Sequence, residues 1–216
     1  RGGLPVVIDG PRGPRVFHTF TRKHGDMERD YNAFELAPSY WSQGNGNFRD
    51  VNQNRRCENF TFAGVDAANI ETFFELIQLD GNNPLVIRAE RFRVEADAQA
   101  DLFGADWPPA AAERVRALLT QPFSPGELHE ALLGACGSAD AARPWFERVL
   151  GRADKLQEAL HGEGYWVDHW IYNLDLLESH VAMYPDRLRQ LLVERNDFGY
   201  HDSDHVVQPR DRKRFK

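Results

Sequence analysis

The chain has 216 residues, 42% of them hydrophobic and 27% charged, a composition that buries a core and excludes wholesale disorder. A formal net charge of -7, with basic residues gathered only in 209–216, argues against nucleic acid as a partner. Two distant cysteines, Cys57 and Cys136, argue against a disulfide framework or a zinc site and suit a reducing cytoplasm, and no window reaches the length of a membrane span.

Residues 1–25 read as an extended lead, because short β-branched runs there alternate with Gly and Pro. Residues 26–216 read as helical. Met27, Tyr31, Phe34 and Leu36 fit a short helix closed by Pro38. Asp66 is placed to cap a helix that carries Ile70, Phe73, Phe74, Ile77 and Leu79 and stops at DGNNP, 80–84. The run LVIRAERFRV, 85–94, suits a strand or extended connection. A helix from near Pro108 carries Val115, Leu118 and Leu119, and the next opens on Ser124, Pro125 and Glu127, a capping box with Pro at the first helical position. Further helices are expected over 139–150, 153–161, 168–184 and 186–194, with Pro185 dividing the last two. The pattern predicts a mainly α architecture of packed helical hairpins behind an extended lead. A closed ring of twelve helices needs about 12 residues per helix and about 6 per loop, so if such a ring is the parent fold, a chain of this length that also carries a lead is an incomplete part of it. Its first residue, Arg rather than Met, fits a piece of a longer protein.

Two stretches concentrate chemistry. The first, YWSQGNGNFRDVNQNRR over 40–56, gathers Trp41, Phe48, Arg49, Asp50, Asn52, Gln53, Asn54, Arg55 and Arg56. Sugars present apolar C–H faces and rims of hydroxyls, so aromatic platforms beside carboxylates, amides and guanidiniums suit them. The alternative is a glycine-rich turn followed by a helix whose Asp and Arg form ordinary surface pairs. The second stretch, EGYWVDHWIYNLDLLE over 163–178, sets Trp166 and Asp168 at a loop-to-helix junction. Aromatic walls desolvate an acid and keep its proton available for a leaving oxygen, whereas a capping role for Asp168 favours its charged form. Asp175 and Glu178 fit polar-face solvation, and Phe73, Phe74, Trp145 and Phe146 fit core. His169, His180, His201 and His205 form no metal-binding motif, and the chain shows neither a nucleotide-binding glycine pattern nor GxSxG.

On SQGNGNFRDVNQNRR, 42–56, and GYWVDHW, 164–170, the sequence resembles the inverting glucan phosphorylases related to cellobiose phosphorylase. It looks most like the large bacterial cellobiose-phosphorylase-like proteins that include β-1,3-oligoglucan phosphorylases. The likeness runs from about His18 to about Arg210 and is thin between about 95 and 155. It implies part of an (α/α)₆ barrel. In the family an Arg-Asp-x-x-Gln-Asp motif opens a barrel helix and binds the sugar whose bond is cleaved; Arg49, Asp50 and Gln53 match it, while Asn54 stands where the last acid is expected. A Trp-Asn-Asp motif supplies the general acid; Trp166 and Asp168 match, with Val167 in place of Asn. The resemblance therefore implies Asp168 as catalytic acid, with Arg49, Asp50, Gln53 and Trp166 binding substrate. It implies inorganic phosphate as co-substrate, with neither a metal nor an organic cofactor. The implied partners are a β-linked glucooligosaccharide, the remainder of the parent chain and a second copy in a homodimer. Two other readings share the same residues. One is an inverting hydrolase with Asp50 or Glu163 as base, and the other a carbohydrate-binding or structural helical segment without catalysis.

Overall fold

The computed structural model describes residues 3–19, 41, 43–161, 167–204 and 212. The helix expected over 26–36, together with Glu163, Trp166 and His205, lies outside them. The fold is mainly α with short strands.

The lead forms an antiparallel hairpin, β1 (Leu4–Ile8) against β2 (Arg15–Thr19), in the register Leu4↔Thr19 and Ile8↔Arg15. It is built into the body, because Ile8 and Phe17 enter the core. β3 (Gly46–Asn47) runs straight into α1 (Phe48–Arg55), and α2 (Ala68–Phe74) follows after two 3₁₀ turns. The 85–94 run divides into β4 (Val86–Ile87) and β5 (Arg91–Arg93). Next come α3 (Ala96–Leu102), which the sequence reading omitted, α4 (Pro109–Leu118), α5 (Pro125–Cys136) and α6 (Ala139–Leu150). The last three pack successively, α4 on α5 and α5 on α6, as antiparallel neighbours joined by short loops. Ser124 Oγ accepts from Glu127 N while the Glu127 carboxylate accepts from Ser124 N, the reciprocal box expected there. Ser138 caps α6 in turn.

Three expectations fail. Residues 153–161 form no helix but two strands, β6 (Asp154–Leu156) on β5 and β7 (Ala159–Leu160) on β4. Helix-forming side chains are overruled because β4 and β5 present unpaired backbone that this segment satisfies. Asp66 caps nothing: it sits at φ 45°, and its carboxylate accepts from His180 Nε2 at 2.9 Å and from Arg187. α2 starts at Ala68 and ends at Phe74, and Leu79, expected on its buried face, lies beyond it and is 80% exposed. Residues 186–194 make a 3₁₀ turn and a π-helical turn, Pro185–Arg187 and Gln190–Glu194, after α7 (Val167–Met183).

Apolar residues gather in two clusters. One joins the hairpin, Phe92, α3, α4, α5 and α6 around Phe17, Phe123, Leu128, Leu132 and Phe146; the other joins α1, α2, Ile87, Leu176 of α7 and Leu191 around Phe48, Val51 and Phe73. Between them runs a seam of buried charge. Glu90, in the chain between Ile87 of one cluster and Phe92 of the other, accepts from His18 N at 3.0 Å, Gln43 Nε2 at 2.9 Å and Lys155 Nζ at 3.4 Å. His18 Nε2 meets Glu58 at 2.7 Å, and buried Arg55 faces both glutamates. A buried charge is tolerated only with such partners.

Candidate functional site

One small antiparallel sheet leads directly into α1. β4 pairs with β3 on one side and β7 on the other. β3 feeds α1 directly, with Phe48 N donating to Leu85 O at 2.8 Å. Gly46 is required here, since a β-carbon would run into the Val51 side chain one turn inside α1.

α1 and α7 then run side by side. Arg49 Nη1 lies 3.4 Å from Asp168 Oδ2, the Phe48 and His169 rings are 5.6 Å apart, and Asn52 Nδ2 donates to Asn173 Oδ1 at 2.6 Å. Arg56 Nη1 donates to Asp175 at 2.7 Å. Partner numbers rise together along both helices, so the helices are parallel and their N-terminal ends meet. Residues 119 apart in sequence thereby share one corner.

At that corner Arg49 bridges two carboxylates, donating from Nε to Asp50 Oδ1 at 3.1 Å and from Nη1 to Asp168. Partial burial works against the Arg49 charge, but Asp50 and then Asp168 more than offset it and hold the guanidinium above its ordinary value. The Arg49 and Asp168 side chains are 39% and 40% exposed, so their pair contributes only about 0.2–1 kcal/mol to stability. Asp50 is deeper, at 13%, and its Oδ2 is buried without a partner among the described residues. An accessible guanidinium held between two carboxylates, one of them accessible as well, suits a hydroxyl-bearing ligand.

The other residues of 40–56 divide by helical phase. Gln53, one turn after Arg49, is exposed, and Asn54 Nδ2 returns to Asp50 O at 2.6 Å. Phe48 and Val51 are core, Asn52 joins α7, and Arg55 enters the charge seam. Trp41, read as a sugar platform, instead packs on Phe146 with ring centroids 4.9 Å apart, in the other core cluster. Phe48, read the same way, is fully buried under His169 and Phe73. Aromatic type alone does not distinguish a platform from a core ring.

Sequence reasoning discounted His169. Burial, assisted by Arg49 and opposed by Asp168 and Asp50, pushes its imidazole down from about 6.5 to about 4. It is therefore neutral at neutral pH, and its Nδ1 is buried without a partner among the described residues. Because the folded value lies below the unfolded one, the unfolded chain binds more protons between them. Stability falls as pH drops from about 6.5 to about 4. His169→Phe is expected to shrink that acid loss by roughly 2–3 kcal/mol in urea unfolding at stepped pH, and an unchanged acid limb contradicts it.

A groove of about 380 Å³ lies elsewhere, between β2, α2, β6 and Tyr200. Among the described residues no group of three or more His, Cys, Asp or Glu is arranged to hold a metal ion, and no helix is long and apolar enough to cross a membrane. No family model, curated protein or solved structure matches the chain.

Proposed function

We propose that the chain is a carbohydrate-active part of a β-glucan phosphorylase, carrying the sugar-holding pair and the acid of an inverting phosphorolysis site. The observation behind this reading is the meeting of Arg49, Asp50 and Asp168 at the joined N-terminal ends of α1 and α7. Phosphate attacks the anomeric carbon while Asp168 protonates the departing glycosidic oxygen, and a sugar 1-phosphate leaves with inverted configuration. Phosphate is already an anionic nucleophile, so a single acid suffices where an inverting hydrolase needs a second carboxylate to activate water. Arg49 and Asp50 hold hydroxyls of the sugar, with exposed Gln53 on the next turn, and the family resemblance assigns Trp166 to the same sugar.

Parallel α1 and α7 together with the successive hairpins α4–α6 support an (α/α)₆ parent fold, in which inner helices run parallel and point one end at a shared site. Incubation of the intact protein with β-linked glucooligosaccharides, with and without inorganic phosphate, tests the reading. Sugar 1-phosphate is expected only when phosphate is present. Equal release of reducing sugar without phosphate overturns it in favour of hydrolysis.

A further inference from the structure

Beneath the Arg49–Asp168 corner a chain of side-chain amides crosses the interior. Asn52 Nδ2 donates to Asn173 Oδ1 at 2.6 Å, and Asn173 Nδ2 donates to Asn83 Oδ1 at 2.8 Å. Asn83 Nδ2 donates in turn to Gly81 O at 3.3 Å, the carbonyl that also accepts from Trp170 Nε1 at 3.2 Å. The three asparagines are 0%, 0% and 5% exposed. The turn that receives them is held open by Gly81 at φ 84°, and four residues on, Leu85 O accepts from Phe48 N. A single short segment, 81–85, is thus tied to α7 through Trp170 and Asn173 and to the first residue of α1.

Stability alone is a poor reason for this arrangement. Neutral hydrogen bonds between buried amides contribute little net compared with an apolar pair of the same shape, because both amides give up water. What a directional amide pair does, and a leucine pair does not, is select one register between two helices. Sliding α1 along α7 by one residue displaces it by about 1.5 Å, which takes the 3.4 Å contact of Arg49 with Asp168 beyond hydrogen-bonding reach.

We infer that Asn52 and Asn173 are positioning residues, whose hydrogen bond sets the register of α1 against α7 and so holds Arg49 at Asp168. Its consequence for turnover rests on the phosphorylase reading, while its geometric content does not. The test uses Asn52→Leu, Asn173→Leu and the double variant, each with and without Asp168→Asn. It follows thermal unfolding, the ¹⁵N–¹H signal of Arg49 Nε, and turnover of a β-glucooligosaccharide with phosphate.

The double variant is expected to unfold closer to wild type than the two singles together imply, because both polar partners are gone. In wild type, Asp168→Asn shifts the Arg49 signal; in the double variant that response is lost and kcat falls about 10–100-fold at restored stability. A double variant that keeps a wild-type Arg49 response together with restored stability overturns the inference, since the amides then serve only to fill space. If the double variant does not fold, the Arg49 response in Asn52→Leu decides in the same way. Loss of the response in a protein that shows no turnover even as wild type upholds the positioning role and refutes the phosphorylase reading.

Discussion

Under the proposed phosphorolysis, Asp168→Asn is expected to lower phosphate-dependent release of sugar 1-phosphate by about 10²–10⁴-fold, the range ascribed to a lost general acid. Asn keeps the shape of the carboxyl group and can still accept from Arg49 Nη1, but it has no proton to give a leaving oxygen. The substitution costs little in folding, because a pair this exposed contributes about 1 kcal/mol at most. Asp175→Asn is the matched control. Asp175 lies two turns further along α7 and pairs with Arg56 at 2.7 Å in a comparably exposed setting, away from the corner. Unfolding and turnover assays of both variants should show similar small stability losses and a loss of turnover confined to position 168. Turnover that survives Asp168→Asn removes the acid from the mechanism. Unchanged oligosaccharide binding with no turnover in the wild-type protein points instead to a non-catalytic sugar-binding element.

The largest effect on stability is expected at Glu90. Its carboxylate gathers a backbone N–H from His18, an amide from Gln43 and the ammonium of Lys155, and it faces the buried guanidinium of Arg55. Burial opposes its charge, but Lys155, Arg55 and His18 more than offset that and hold it below the ordinary carboxylate range. Glu90→Gln removes that charge, takes the carboxylate from Lys155 and leaves the buried guanidinium of Arg55 facing one remaining glutamate, Glu58. Breaking a buried pair in this manner costs about 3–5 kcal/mol, a large share of the 5–15 kcal/mol that typically separates folded from unfolded. For a chain of this size that is roughly a 10 °C fall in Tm. The sign with pH follows from the depressed value: the carboxylate stabilises the fold above its ordinary range, and the contribution disappears as pH falls through the folded value. Glu90→Gln should therefore lose most stability near neutral pH and least in acid. Equal losses at both contradict a role through charge.

The burial of Glu90 had no local signal, since Glu in an alternating polar run reads as solvent-facing. The same holds for Asn52 and Arg55, which share one helix with Arg49 and Asp50 and differ from them only in phase. Helical phase separates inner from outer positions once a neighbour is known, and α1 meets its neighbour 119 residues later. His169 was passed over for a similar reason: its lowered pKa comes first from burial, with the Phe48 ring of a distant segment against it, and Arg49 from that segment adds to the fall while neighbouring Asp168 opposes it.

What the sequence determined by itself is the set of features with short-range causes. The Ser124–Glu127 box, the helix over Ala139–Leu150, the extended character of the lead and the helix expected over 168–184 all depend on hydrogen bonds or residue patterning within a short span of chain. Tertiary structure alone decided that 153–161 became strands, that Asp66 turned away to His180 and Arg187, that Phe48 went into core and that Trp41 packed, partly buried, against Phe146. It also decided that Arg49, Asp50 and Asp168 stand together. Each of those outcomes depends on unpaired backbone, a countercharge or an apolar face supplied by a distant segment, and a local pattern carries no information about such a partner until the chain has folded.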